Sequence, residues 1–142
     1  MTTKGTNYYT EYMRSLFNDY WKKENKRYVV YQNLIGKTPP PSDQPFAVVD
    51  VIHTSANRCV LTGRHKGRFR HRGVLNIRVF IPANSGMKNG YQYTDEILDI
   101  YRNPPSDCEI NFSGFSFVEQ DQRYKDFYCV NITIDFDYDT FL

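Results

Sequence analysis

The residues with chemical potential in this sequence are charged, and they cluster in two places. Arg64, His65, Lys66, Arg68, Arg70, His71 and Arg72 gather positive charge within nine residues, broken by Gly67 and Phe69. Near the other end Asp135, Asp137 and Asp139 recur at a spacing of two, which puts three carboxylates on one face of a strand. Each cluster has a use on its own. The basic stretch could contact nucleic-acid phosphates, with Phe69 stacking on a base. The acidic row could gather a hard cation, although it lacks the turn geometry and extra oxygens of a calcium loop. Taken together they suit another purpose. Opposite charges of similar size in one short chain are the complementarity that joins subunits head to tail. Candidate interface or channel-lining residues are therefore Arg64, Lys66, Arg68, Arg70, Arg72, Asp135, Asp137 and Asp139, with a solvated hairpin loop as the plain alternative for the basic stretch.

Other chemistry finds less support. Gly63, Gly67 and Gly73 do not have the spacing of a phosphate-cradling loop, and the basic stretch runs into a strand rather than a helix. His53, His65 and His71 show no metal-ligand pairing, and arginines surround two of them. Cys59, Cys108 and Cys129 are odd in number and widely spaced, which argues against a disulfide framework and for a reducing compartment. No serine or cysteine sits in a recognisable nucleophile context. The reading is of a protein that is not an enzyme and carries no cofactor or metal.

The elements that must position these charges follow from periodicity. The 142 residues suit one domain, 1–142, with a real core; 40% are hydrophobic and 16% aromatic. The net charge of +2 gives no global attraction to polyanions, so a basic function has to be local. No run approaches a membrane span, and the first residues carry no signal-peptide core, so a cytoplasmic setting is expected. Tyr8, Tyr9, Tyr12, Met13, Leu16, Phe17, Tyr20 and Trp21 recur as pairs about four apart, the stripe of an amphipathic helix lying on a sheet. Lys22, Lys23, Lys26 and Arg27 follow at its C-terminus, where they oppose the macrodipole favourably. Strands are expected over 28–34, 46–53, 57–62, 74–81, 108–118 (with a bulge at Gly114) and 128–139. A loop of prolines at 36–45, the basic loop at 64–73 and a polar turn at 120–126 separate them. A second helix, with Ser85 or Asn84 as cap and Met87, Gly90, Tyr91, Thr94, Ile97, Leu98 and Tyr101 on one face, precedes Asn103-Pro-Pro. The class is α+β: a mixed, mostly antiparallel sheet with an N-terminal amphipathic helix and a second helix packed on it.

From Tyr28 to Asp139 this pattern resembles the tail terminator, or tail completion, proteins of long-tailed bacteriophages. The resemblance lies in the N-terminal amphipathic helix and in Val-Val-Tyr-Gln-Asn with a proline loop before Pro45-Phe-Ala-Val-Val. It continues in Arg72-Gly-Val-Leu-Asn-Ile-Arg-Val-Phe-Ile-Pro82, in Gly86 ahead of the helix Tyr-Thr-Asp-Glu-Ile-Leu-Asp-Ile-Tyr, and in the closing Val-Asn-Ile-Thr-Ile-Asp-Phe-Asp-Tyr-Asp. It implies a structural virion protein, assembled in the host cytoplasm, that forms a hexameric ring at the head-proximal end of the tail. Such a ring caps the tail tube protein, ends tube polymerisation and offers the surface for head–tail joining. The resemblance carries no catalytic residue. The basic stretch is richer in charge than the family pattern requires, so contact with DNA in the channel is a further expectation. A head–tail connector or neck protein and a nucleic-acid-binding module using 64–72 are the alternatives.

Overall fold

A computed structural model describes residues 4–25, 27–31, 44–61, 67–82, 86–124 and 127–141. Most of the expected proline loop (36–43), Asn84 and Ser85, and the basic residues Arg64, His65 and Lys66 lie outside the described residues, as does Lys26. The expectation of Asn84 or Ser85 as cap of the second helix is corrected: that helix starts at Lys88 with Met87 in the N-cap position.

The first helix, α1 (Thr6–Asn18), continues as a π-helical segment over Asp19–Glu24. Its buried side chains are Tyr9, Met13, Phe17 and Trp21, each four residues from the last and no more than 3% exposed. A repeat of four overshoots the 3.6-residue turn, so an α-helix would rotate the stripe by roughly 40° per step. The wider i→i+5 turn opposes that drift at its far end and keeps Trp21 in the core. Tyr8 stays 44% exposed, so only one member of the expected first pair is core.

Five strands form one sheet in the order β1-β2-β3-β5-β4: β1 (Tyr28–Tyr31), β2 (Phe46–Leu61), β3 (Gly67–Pro82), β4 (Asn111–Tyr124) and β5 (Phe127–Phe141). β1 runs parallel to β2, and every other pair is antiparallel. The fold is α+β with a mostly antiparallel mixed sheet and an N-terminal helix, as the periodicity predicts. Pro82 ends β3, and Gly114 makes the expected bulge in β4, with φ +62° and a register shift between Ser113 and Phe115. Three further expectations are corrected. The strands expected at 46–53 and 57–62 are one, because irregularities near Thr54 and Cys59 bend the ladder without ending it. The stretch 67–73, expected as loop, is the first half of β3, held by β2 on one side and β5 on the other. Residues 120–124, expected as turn, extend β4.

Alternation on the central strands sorts the side chains. Leu75, Ile77, Val79 and Ile81 of β3 and Val130, Ile132, Ile134, Phe136 and Tyr138 of β5 join the helices in one buried cluster. Helix α2 (Lys88–Arg102) covers the same side, burying Thr94, Ile97, Leu98 and Tyr101. The buried Tyr101 hydroxyl donates to the Met13 carbonyl at 2.9 Å, fastening the two helices. Arg27 lies 4.2 Å from the Tyr93 ring centroid and 4.8 Å from that of Trp21. It therefore seals the helical layer rather than serving only the helix terminus. The opposite side of the sheet has no helical layer among the described residues. It carries one small buried group at its end: Phe46, Phe80, Phe127 and Cys129.

Candidate functional site

The uncovered side of the sheet is where the charged residues meet. Because β3 and β5 are antiparallel and in register, Arg70 sits opposite Asp139 and Arg72 opposite Asp137. Arg70 Nε donates to Asp139 Oδ1 at 3.0 Å, and Arg68 Nε approaches Asp139 Oδ2 at 3.4 Å without hydrogen-bond alignment. Clusters that the sequence offers to a neighbouring subunit thus meet, at Asp139, within one chain. Asn111 donates to Asp137 Oδ2 at 3.3 Å from the first residue of β4. Asp135 faces Val74 across the ladder and is exposed. Arg64 and Lys66 lie outside the described residues.

A further pair on this side, Arg78 to Asp50 at 3.2 Å, escaped sequence reasoning. Its signal was the β2–β3 register, which places Asp50 beside Asn76 and Val48 beside Arg78. The side-chain oxygens of Asn76 and Asn131 are shielded and have no hydrogen-bond partner among the described residues.

On the helical side, the first half of β3 and the end of β5 carry a second arrangement that the sequence did not suggest. Tyr138 is stacked between Tyr9, at 4.2 Å, and His71, at 4.9 Å between ring centroids. Its hydroxyl lies 2.7 Å from His53 Nε2, and His71 Nε2 lies 2.8 Å from Thr140 Oγ1. Burial, then the neighbouring His71, pushes the His53 pKa below the usual imidazole value. The Tyr9 hydroxyl donates to Glu109 at 3.1 Å, and Glu109 also pairs with Lys4. Burial first, then Glu109, raises the Tyr9 pKa to about 12. These rings clamp the start of α1 to the end of β5.

β4 begins opposite Asp137, short of the end of β5, and leaves an open cleft of about 460 Å³ between the two arrangements. Tyr9, Glu109, Asn111, Asp137 and Asp139 are among its walls. Its charged groups are engaged with one another: Glu109 with Lys4 and Tyr9, Asp139 with Arg68 and Arg70. Among the described residues, no group of three His, Cys, Asp or Glu side chains is placed to hold a metal ion. Cys129 is buried, and burial pushes its thiol pKa up, away from reactivity. Among the described residues, no helix is long and apolar enough to cross a membrane.

No protein-family profile matches the chain. No curated protein matches it. Among solved structures, 23 chains match, so the architecture recurs. One of them, a protein with no functional name, aligns with a TM-score of 0.59 over 91% of this chain and 94% of its own length, at 18% identity. That likeness concerns the fold.

Proposed function

We propose that this chain is a structural subunit of a bacteriophage tail, a terminator that closes into a ring on the head-proximal end of the tail tube. The observation that carries the reading is the uncovered face of the five-stranded sheet. It bears ordered Arg–Asp pairs and the exposed apolar side chains Ile52 and Val118, on a scaffold whose helices, among the described residues, all lie on the other side. A face so built suits a large protein surface more than a small substrate. The sequence pattern from Tyr28 to Asp139 supports the same assignment.

The mechanism is occupancy. One ring face takes the place of the next tube layer and the other offers the tube nothing to add to, while head–tail connector or neck proteins dock there. A heterologous contact that closes leaves no free end in the plane of the ring. The cis pairing of Arg68 and Arg70 with Asp139 reduces the charge that 67–73 offers to DNA.

Native mass spectrometry across salt concentrations tests this, followed by addition of purified tail tubes. A mass near six subunits, or a cap on tube ends seen by electron microscopy, is the expected result. Loss of DNA retention in Arg68→Glu/Arg70→Glu, with a monomeric protein that never caps tubes, would overturn it in favour of nucleic-acid binding.

A further inference from the structure

The side of the sheet away from the helices is divided by charge along one line. Residues two apart on a strand share a side, so β3 presents Arg68, Arg70, Arg72 and Arg78 there, and β5 presents Asp135, Asp137 and Asp139. The two strands are neighbours in register, which lays a row of cations beside a row of anions with a seam between them. Asp50 of β2 adds a further anion, so these charges sum to zero although each strand is strongly charged. Part of the charge is satisfied within the chain: Arg68 and Arg70 meet Asp139, and Arg78 meets Asp50. The rest is not. Arg72 and Asp135 are exposed and make no ion pair among the described residues, where the Asn111 amide is the side-chain partner of Asp137.

A surface divided in this way fits a second copy of itself. A two-fold axis running along the seam, in front of the sheet, turns β3 of one copy over β5 of the other and keeps every residue at its own level along the strands. Arg72 of each copy then lies over Asp137 of the other, because the two share a rung of the ladder, and Asp135 is one same-side step away. Val118, 60% exposed, shares its rung with Asn131, Arg78 and Val48, so it comes over Val48 of the second copy. The strand directions of the two sheets stay aligned, as face-to-face packing prefers. The other two-fold axis that can stack these sides runs across the strands. It lays β3 on β3 and β5 on β5, cationic strand on cationic strand and anionic on anionic. Charge therefore selects the axis along the seam.

We propose that two copies of this chain stack by this side of the sheet, about a two-fold axis along the β3–β5 seam, with Arg72 of each on Asp135 and Asp137 of the other. The area limits how firmly they hold. Four strands at about 4.8 Å give a width of roughly 19 Å, and Arg70 to Arg78 a length of roughly 30 Å, so about 1,100 Å² is covered on the two copies together. That is the size of a transient contact, and the dimer opens readily. It goes beyond the ring reading and does not depend on it: a ring closes through a heterologous contact, and this one is isologous.

Sedimentation equilibrium of the full chain, with paired charge reversals, tests this. Wild type is expected to show a monomer–dimer equilibrium that weakens as salt rises. Arg72→Asp alone sets aspartate against aspartate, and Asp137→Arg alone sets arginine against arginine, twice in each dimer. Each is expected to weaken self-association by about tenfold or more, with the circular dichroism of wild type. Mixed in equal amounts, the two variants face each other with opposite charges at both contacts, so a dimer containing one copy of each is expected to return. Its return also excludes misfolding as the cause of the loss. Val118→Lys, at an exposed position of β4, is a second readout and is expected to weaken the dimer as well. A dimer indifferent to these substitutions, or a mixture that stays monomeric, overturns the proposal. A mixture that associates only into species larger than two overturns it in favour of a head-to-tail contact. A wild type that never forms a dimer overturns it too, and leaves the ring to be judged by the capping of tail tubes.

Discussion

Gly73→Ala separates the observed strand from a loop most sharply. Gly73 sits in the middle of the sheet, opposite His53 on β2 and Phe136 on β5. A methyl group added there would lie 2.2 Å from the Ile52 carbonyl oxygen, 2.6 Å from Phe136 Cζ and 3.0 Å from His53 Cα. Two of these atoms are backbone of a paired strand, and comfortable carbon contacts begin near 3.5 Å, so β2 must shift by roughly 1 Å. Overpacking of this kind costs about 1–3 kcal/mol. Removing a glycine stiffens the unfolded chain and returns roughly 0.4–1 kcal/mol. The net loss is about 1.3 kcal/mol, on the order of 10-fold in the folding equilibrium and about 3–5 °C in Tm. Urea unfolding followed by the fluorescence of Trp21, the one tryptophan and fully buried, measures it directly. A glycine in a solvated loop would give no loss, or a small gain. A midpoint within about 0.5 kcal/mol of wild type at unchanged m would refute the close approach of β2 and β3 at this point.

Three other perturbations follow from the same geometry. Tyr101→Phe removes the buried hydroxyl that donates to Met13 O and is expected to cost about 1 kcal/mol in denaturant unfolding, with no change in assembly. Asp139→Asn leaves Arg68 and Arg70 without their carboxylate; both guanidinium groups are over a third exposed, so the loss is expected at about 1 kcal/mol or less. The difference from wild type should shrink as salt rises to about 1 M, and a gap that grows with salt would contradict an ion-pair origin. His53 favours its neutral form in the fold, so the unfolded chain takes up the proton first as pH drops through the ordinary value of 6.5. Stability contributed by the neutral ring is present above that value and is lost as pH falls from there through the depressed folded-state value. His53→Gln should flatten this part of the profile measured between about pH 8 and about pH 5.

Much of the architecture was readable because alternation on β5 and on the second half of β3 is strict and apolar. Val130, Ile132, Ile134 and Phe136 can serve only one side of a sheet. The first half of β3 follows the same rule in a different alphabet. Arg68, Arg70 and Arg72 alternate with Phe69, His71 and Gly73, but the apolar face there is aromatic and glycine instead of aliphatic. Charge density and glycine content then suggest a loop. Long-range register was the other missing quantity. No local pattern tells that Asp139 stands opposite Arg70 and not against a neighbouring molecule, since that pairing joins strands far apart in the chain. The Tyr9–Tyr138–His71 stack and the Arg27 site beside Tyr93 and Trp21 were hidden for the same reason. Each assembles residues from separate elements, and each residue alone has an ordinary helix or strand role.

The seam between β3 and β5 also sets an order for synthesis. β2 with β3, and β4 with β5, are hairpin neighbours and can form locally, whereas β3 and β5 are separated by the 44 residues from Ala83 to Asp126. At about 5–20 residues per second, β3 waits roughly 2–9 s for the start of its permanent partner. During that wait Leu75, Ile77, Val79 and Ile81 belong to a strand with one bare edge and an incomplete core, a state open to pairing with the same strand of another nascent chain. Arg68, Arg70, Arg72 and Arg78 on the other side of β3 then have a second role as like charges that keep two such strands apart until β5 arrives and Asp139 neutralises part of the row.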